Sequence, residues 1–380
     1  MDRIGSSKAD SPTYFHSIGR RQRLARAAGF STAVLLLMSA AALTAQNEEG
    51  AEPFLPNAVR SVSTIPTNGD LNPYGVAFVP KTLTMGKLHP GDILVSNFNN
   101  NQNLQGTGTT IIQVGKTGKP TVFFQGQPGI GLSTALNIVK AGYVLVGNFP
   151  SMDGTCATAQ PGSIIALTTN GQVFANITSP YIDGPWDSTV IDNGNEVTMF
   201  IANGLNGTVS RFVFAQGMNG PYVKSQMQIG SGYMHQCDPA TFVDAPTGLV
   251  YDRRTGDLYV ASTLDNKVYA LHDAADIDKD QGTGRVIYQD NTHLHGALAM
   301  AMAPNGHLLV SNNDVINPDP NQPSEIVEFT LGGKFVKQLS VDPAQGGSFG
   351  LNVQTMMGVS TFAAVDDNTS TLMIWKLPVD

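Results

Sequence analysis

Asp92-Ile93-Leu94-Val95-Ser96-Asn97, Tyr143-Val144-Leu145-Val146-Gly147-Asn148 and Thr198-Met199-Phe200-Ile201-Ala202-Asn203 share one scheme, and three later stretches follow it. These are Asp257-Leu258-Tyr259-Val260-Ala261-Ser262, His307-Leu308-Leu309-Val310-Ser311-Asn312 and Thr361-Phe362-Ala363-Ala364-Val365-Asp366. Each is an apolar, β-prone run with a small residue near its end and an amide, hydroxyl or carboxylate closing it. That is the profile of a buried strand running into a turn. The closing positions stand 51, 55, 59, 50 and 54 residues apart. A period near 50 built only from strand signals marks a repeat architecture.

The surroundings of each hexamer are regular too. Asn72-Pro73-Tyr74-Gly75-Val76-Ala77-Phe78-Val79 precedes the first, and Thr110–Val114 and Thr121–Phe124 follow it. The fourth unit repeats the order with Ala245-Pro246-Thr247-Gly248-Leu249-Val250-Tyr251, the hexamer, Lys267–Leu271 and Arg285–Tyr288. Four short strands per unit and six units over residues 72–380 predict an all-β fold, a six-bladed β-propeller of four-stranded antiparallel blades. Forty Gly and 22 Pro in 380 residues exclude a helical bundle. A parallel β-helix competes, but its repeats are shorter. Residues 46–71 form an N-terminal segment in which Phe54–Ile65 reads as a spare strand. It is expected to join the last blade and close the ring, which removes exposed sheet edges.

Residues 1–45 read as a signal peptide. Six basic residues (Arg3, Lys8, Arg20, Arg21, Arg23, Arg26) precede an apolar run from Ala27 to Leu43, and small residues follow at Ala40–Ala42 and Ala45. The run is short for a membrane span, so no span is expected after cleavage. Export, periplasmic or extracellular, follows. The mature chain keeps 16 Lys and Arg against 28 Asp and Glu, a charge of −12, and offers no basic stripe for nucleic acid. Its only cysteines, Cys156 and Cys237, are expected to form a disulfide in an oxidising compartment.

In an antiparallel blade the start of the first strand and the end of the second meet at one face. Tyr74, Ser133, Trp186, Thr247, His295 and Phe349 therefore share a rim with the hexamer ends. The long connections Asn97–Gly108, Asn148–Gly162, Gly230–Pro246 and Asn312–Ser324 open there as well, and both cysteines fall in them. Long loops on a rigid scaffold are where function sits. The binding candidates are accordingly Asn97, Asn148, Asn203, Asn312, Asp366 and Trp186, facing a small molecule or a protein partner. Short polar side chains at strand ends also shape turns, so a structural role for the same residues stands beside the functional one. His295, with His235, Asn148 and Asn203, forms the metal-binding candidate set, calcium or zinc being the cations those donors suit. His295 and Asp183 are the catalytic candidates. The alternating acids Asp273, Asp276, Asp278 and Asp280 resemble a calcium loop, but Gly282 falls one place late and Ile287 stands where a Glu would close it.

Pro73-Tyr74-Gly75-Val76-Ala77-Phe78 and Pro246-Thr247-Gly248-Leu249-Val250-Tyr251, each followed by its Gly-Asp hexamer, resemble NHL-type repeats. That six-bladed superfamily also holds gluconolactonase-like and amidating-lyase-like propellers. The resemblance covers nearly the whole mature chain and implies the fold. In the lyases metal-binding histidines open the first strands of different blades, and here His295 alone matches. In the lactonases Glu, Asn and Asp hold a divalent ion; Asp183 resembles the Asp, and Tyr74 occupies the Glu position. The expected function is a secreted or periplasmic scaffold that binds a ligand or protein through its long-loop face. The alternative is a metal-dependent hydrolase or lyase, lactonase-like, at the mouth of the channel.

Overall fold

Six four-stranded antiparallel sheets organise the computed structural model, which describes residues 52–56, 60–218 and 220–378. The expected signal peptide lies outside the described residues. The innermost strands are Leu71–Phe78, Leu132–Ile138, Pro185–Asp192, Pro246–Tyr251, Ala297–Met302 and Ser348–Met356. Each packs beside the next, and the last packs beside the first. The chain is a six-bladed β-propeller.

In the first five blades the strands pair in chain order. The sixth blade comprises Ser348–Met356, Val359–Asp366, Thr371–Pro378 and, outermost, the N-terminal strand Arg60–Ser63. Arg60 stands opposite Ile374 and Ser63 opposite Thr371, so the ring closes by pairing the two ends of the chain. Thr64 locks the seam: its N–H and hydroxyl both donate to the Ser370 carbonyl, at 2.9 and 2.8 Å. The spare strand is thus shorter than Phe54–Ile65. Phe54 and Leu55 instead anchor on blade five, where both N–H groups donate to the fully buried Glu328 carboxylate at 2.9–3.0 Å.

The middle strands are buried on both faces because blades stack face to face, and this explains why their sequences are continuous apolar runs rather than alternating ones. Leu94 and Ile111 of blade one share a core with Val144 and Ile165 of blade two. Tyr259 and Val268 of blade four meet Val310 and Val327 of blade five.

All six inner strands carry a register irregularity within their first residues, as between Pro73 and Val76 or between Ser348 and Leu351. There the backbones of neighbouring blades come close. A Cβ on Gly75 would lie 2.8 Å from the Thr134 carbonyl oxygen, and one on Gly350 only 1.6 Å from that of Tyr74. The Pro-x-Gly pattern of the repeats therefore has a steric cause. Hydroxyls fasten the same contacts, with Ser96 donating to the Ser133 carbonyl at 2.7 Å and Ser133 to that of Pro185 at 2.6 Å.

Candidate functional site

At every rim position the closing residue of the hexamer pairs at the start of the inner strand: Asn97 with Pro73, Asn148 with Leu132, Asn203 with Pro185, Ser262 with Pro246, Asn312 with Ala297, Asp366 with Ser348. The rim read from the sequence is therefore present. Its amides, however, point into the protein. The Asn148, Asn203 and Asn312 oxygens accept the N–H of Gly131, Asp183 and His295 at 2.9–3.0 Å. Their amide nitrogens donate to the Ser163 hydroxyl, to the Thr208 and Ser210 hydroxyls, and to the His293 carbonyl. Asn97 donates to the Thr64 carbonyl and the Thr110 hydroxyl, both at 3.2 Å. Each amide clips the chain entering its blade to the end of the second strand. Asp366 accepts a hydrogen bond from the Thr369 hydroxyl and is 2% exposed.

The catalytic and metal candidates divide between two places. Burial raises the Asp183 carboxyl, while Asn206 and His235 hold it back; His235 itself is exposed, its Nδ1 3.1 Å from the Tyr233 carbonyl. His295 is buried on blade five with Nδ1 against the Asn317 carbonyl and Nε2 3.7 Å from Glu325 Oε1. The structure brings His295 to Glu325, whereas the side-chain partner of Asp183 is Asn206. Among the described residues no three His, Cys, Asp or Glu side chains gather as a metal cage would require. In the alternating acidic run, the Asp280 carboxylate takes the N–H of Gly282 at 2.7 Å and the amide of Gln228 at 2.6 Å.

Trp186 has a different setting from the amides. Together with Tyr74, Phe98, Phe149 and Phe242 it forms a buried aromatic cluster with ring centroids 5.2–6.2 Å apart, in edge-to-face, tilted and stacked pairs. The cluster stands where the inner strands begin and fills that end of the channel. Phe242 comes from a hairpin, Gln236–Asp238 with Phe242–Asp244, inserted between blades three and four and not foreseen from the repeats. A disulfide between Cys156 and Cys237 ties this hairpin to the long loop of blade two, their Cα atoms 5.5 Å apart. Phe242 holds a left-handed backbone, φ 71°, which tight packing against the other rings sustains.

Beyond the rings the channel encloses about 200 Å³, lined by all six inner strands. Asp187 faces it. Burial pushes this carboxyl up to about 7, although it accepts the N–H of Ser188 at 2.7 Å and of Leu249 at 3.0 Å.

Beside the cluster, on the long-loop face, lies an open cleft of about 490 Å³. Tyr74, Trp186 and Phe349 line its apolar part; Asn72, Asn99, Asp314 and Asp367 line its polar part. Tyr74 stacks on Phe349 at 4.8 Å. Asn72 also has a positive φ, 56°. Burial and the neighbouring Asp366 push the Asp367 carboxyl up to about 7.

No protein-family model matches the chain, and no curated protein matches it. Solved structures do. A catalytically inactive virginiamycin B lyase from Staphylococcus aureus with quinupristin is 14% identical over 85% of this chain and 89% of its own, with a TM-score of 0.48. A putative oxidoreductase (glucose dehydrogenase) from Thermus thermophilus is 12% identical over 84% of this chain and all of its own, TM-score 0.49. A chain of a nidogen–laminin complex is 13% identical over 74% and 88%, TM-score 0.45. At these values the likenesses carry no argument about activity, and the propeller stands on the chain's own sheets.

The residues that sequence reasoning missed sit one or two places from those it chose. Asn99 follows Asn97, Asp314 follows Asn312, Asp367 follows Asp366, and Asn72 precedes the Pro-Tyr-Gly motif. Polar residues just past the closing position were the available signal.

Proposed function

We propose that the chain is an exported, NHL-like β-propeller that serves as a binding scaffold and takes its ligand into the long-loop-face cleft. The observation that carries this reading is the set of buried polar atoms in that cleft. Asn72 Oδ1, Asn99 Oδ1 and Asp314 Oδ1 are buried without a protein hydrogen-bond donor, in a concavity with an aromatic wall. Buried polar groups are normally paired, and leaving one unpaired costs about 1–3 kcal/mol. A concave site with an apolar wall and a few convergent polar groups is the usual form of a ligand pocket. The disulfide and the aromatic cluster give the loops a rigid base, which lowers the cost of ordering them on binding.

A thermal-shift screen of small molecules against the mature chain and its Asn72→Gly and Phe349→Ala variants tests the reading. Ligands that stabilise the parent and lose their effect in either variant support it; ligands indifferent to both overturn it. The metal-dependent hydrolase or lyase has less support, since His295 and Asp183 have different partners. Metal content before and after chelation tests that alternative.

A further inference from the structure

Among the buried polar atoms that line the cleft, three unpaired oxygens stand against one unpaired donor, Trp186 Nε1. Asn72, Asn99 and Asp314 are 5%, 3% and 8% exposed, and each keeps an oxygen that no donor of the described residues reaches. Other bonds hold these side chains in place. Asn99 donates its amide to Asn103 Oδ1 at 2.8 Å, and Asp314 Oδ2 accepts the N–H of Ser324 at 2.9 Å and of Gly346 at 2.8 Å. Asp367 adds a second carboxyl group. No Lys, Arg or His lines the cleft.

Two unpaired amide oxygens and two carboxyl groups, those of Asp314 and Asp367, without a cationic side chain form a site that repels anions and favours a positively charged donor. Behind Asp314 the buried Glu325 carboxyl is pushed up to about 8 by burial, with the Asp314 charge adding to the shift. Negative charge here is costly because nothing positive accompanies it. The opposite wall is aromatic, and the faces of Tyr, Trp and Phe attract cations. A polyol would satisfy the oxygens but would leave the charge uncompensated.

We infer that the cleft binds a small organic cation, an ammonium group held by the Asn72, Asn99, Asp314 and Asp367 oxygens with its apolar body against Tyr74, Trp186 and Phe349. This deepens the scaffold reading and rests on it. The cation supplies several N–H donors and a positive charge in one group, and a positive charge is what the wall lacks.

The chain has two tryptophans, Trp186 in the cleft and Trp375 in the sixth blade, so a Trp375→Phe background makes emission a report on Trp186. The probes are phenethylammonium, 2-phenylethanol and phenylacetate, equal in aromatic body and unlike in charge, together with methyl glucoside. Phenethylammonium should change the emission saturably, with 2-phenylethanol at least tenfold weaker and phenylacetate weaker still. Asp367→Asn should weaken phenethylammonium at least fivefold and leave 2-phenylethanol within twofold. Asn72→Gly, which keeps the left-handed backbone, should weaken the cation severalfold and supplies the test if Asp367→Asn fails to fold. Equal binding of the cation and the alcohol, or tight binding of methyl glucoside alone, overturns the cation and leaves the cleft as a binding site. Silence from every probe also overturns the cation, and the fate of the cleft reading then rests on the Asn72→Gly and Phe349→Ala screen.

Discussion

Replacing Glu328 with alanine should loosen the ring at its seam. Glu328 lies in the third strand of blade five, Glu325–Phe329, and is fully buried. Its carboxylate receives the N–H of Phe54 at 2.9 Å, the N–H of Leu55 at 3.0 Å, the Asn305 amide at 3.1 Å and His307 Nδ1 at 2.7 Å. The two backbone bonds hold the chain a few residues before it enters the closing strand Arg60–Ser63. Hydrogen bonds to a charged acceptor contribute about 1.5–3 kcal/mol each, so the pair is worth about 3–6 kcal/mol. Leu55, 2% exposed, adds about 2 kcal/mol if the segment peels away. Against this, the variant no longer carries a buried carboxylate, and a detached segment recovers its bonds to water. A net loss of about 3 kcal/mol is expected, a large share of the 5–15 kcal/mol typical of a folded domain. Thermal unfolding should show a fall in Tm of roughly 5–10 °C, and limited proteolysis should reveal a new cut between residues 52 and 64. Glu328→Gln, which keeps one acceptor and turns an amide nitrogen toward the other donor, should fall between. A Tm within about 2 °C of the parent and an unchanged digest would show that the N-terminal segment does not hold the ring closed.

Three further outcomes follow from the geometry. Reducing the Cys156–Cys237 bridge, which spans 81 residues, should lower stability by about 4 kcal/mol in the chain-entropy model; coincident denaturant midpoints with and without reductant would contradict this. Gly350→Ala places a methyl 1.6 Å from the Tyr74 carbonyl oxygen, and should cost at least about 2–3 kcal/mol by overpacking at the junction of blades six and one, so an unaltered denaturation curve would mean the inner strands can separate freely. Asp187 and Glu325 have folded-state pKa values raised to about 7 and about 8. The native state therefore keeps protons that the unfolded chain has released, and stability should fall as pH rises from about 4 towards 8. Denaturant midpoints measured across that range check the sign, and Asp187→Asn should flatten the part of the fall between pH 5 and 7.

Much of the architecture is legible in the chain itself, because it is written in local patterns. Six hexamers at regular spacing, each with its flanking strands, specify blade number and strand count, since a buried middle strand must be apolar on both sides. The rim pairing is legible for the same reason: once Asn97 ends a second strand in an antiparallel blade, it must stand near the start of the first. The hairpin that carries Phe242 is not legible, being an insertion with no counterpart in other repeats. Nor is the extent of the closing strand, because Phe54 and Leu55 dock on a carboxylate 273 residues or more away.

The site shows where local reading ends. Asn97 and Asn99 are the same residue type two positions apart on one strand. The sequence by itself determined that both would stand near the rim. Each keeps an oxygen without a donor, and only the tertiary structure decided that Asn97 turns its amide to the Thr64 carbonyl and the Thr110 hydroxyl away from the cleft, whereas Asn99 stands in the cleft wall. Likewise, His295 and Asp183 were chosen for their types, yet their partners Glu325 and Asn206 are set by how blades and loops pack. Strand pattern follows from the solvation of a residue's own side chain, which its type reveals. Whether a polar atom is satisfied depends on groups brought to it from distant parts of the chain, and only folding assembles them.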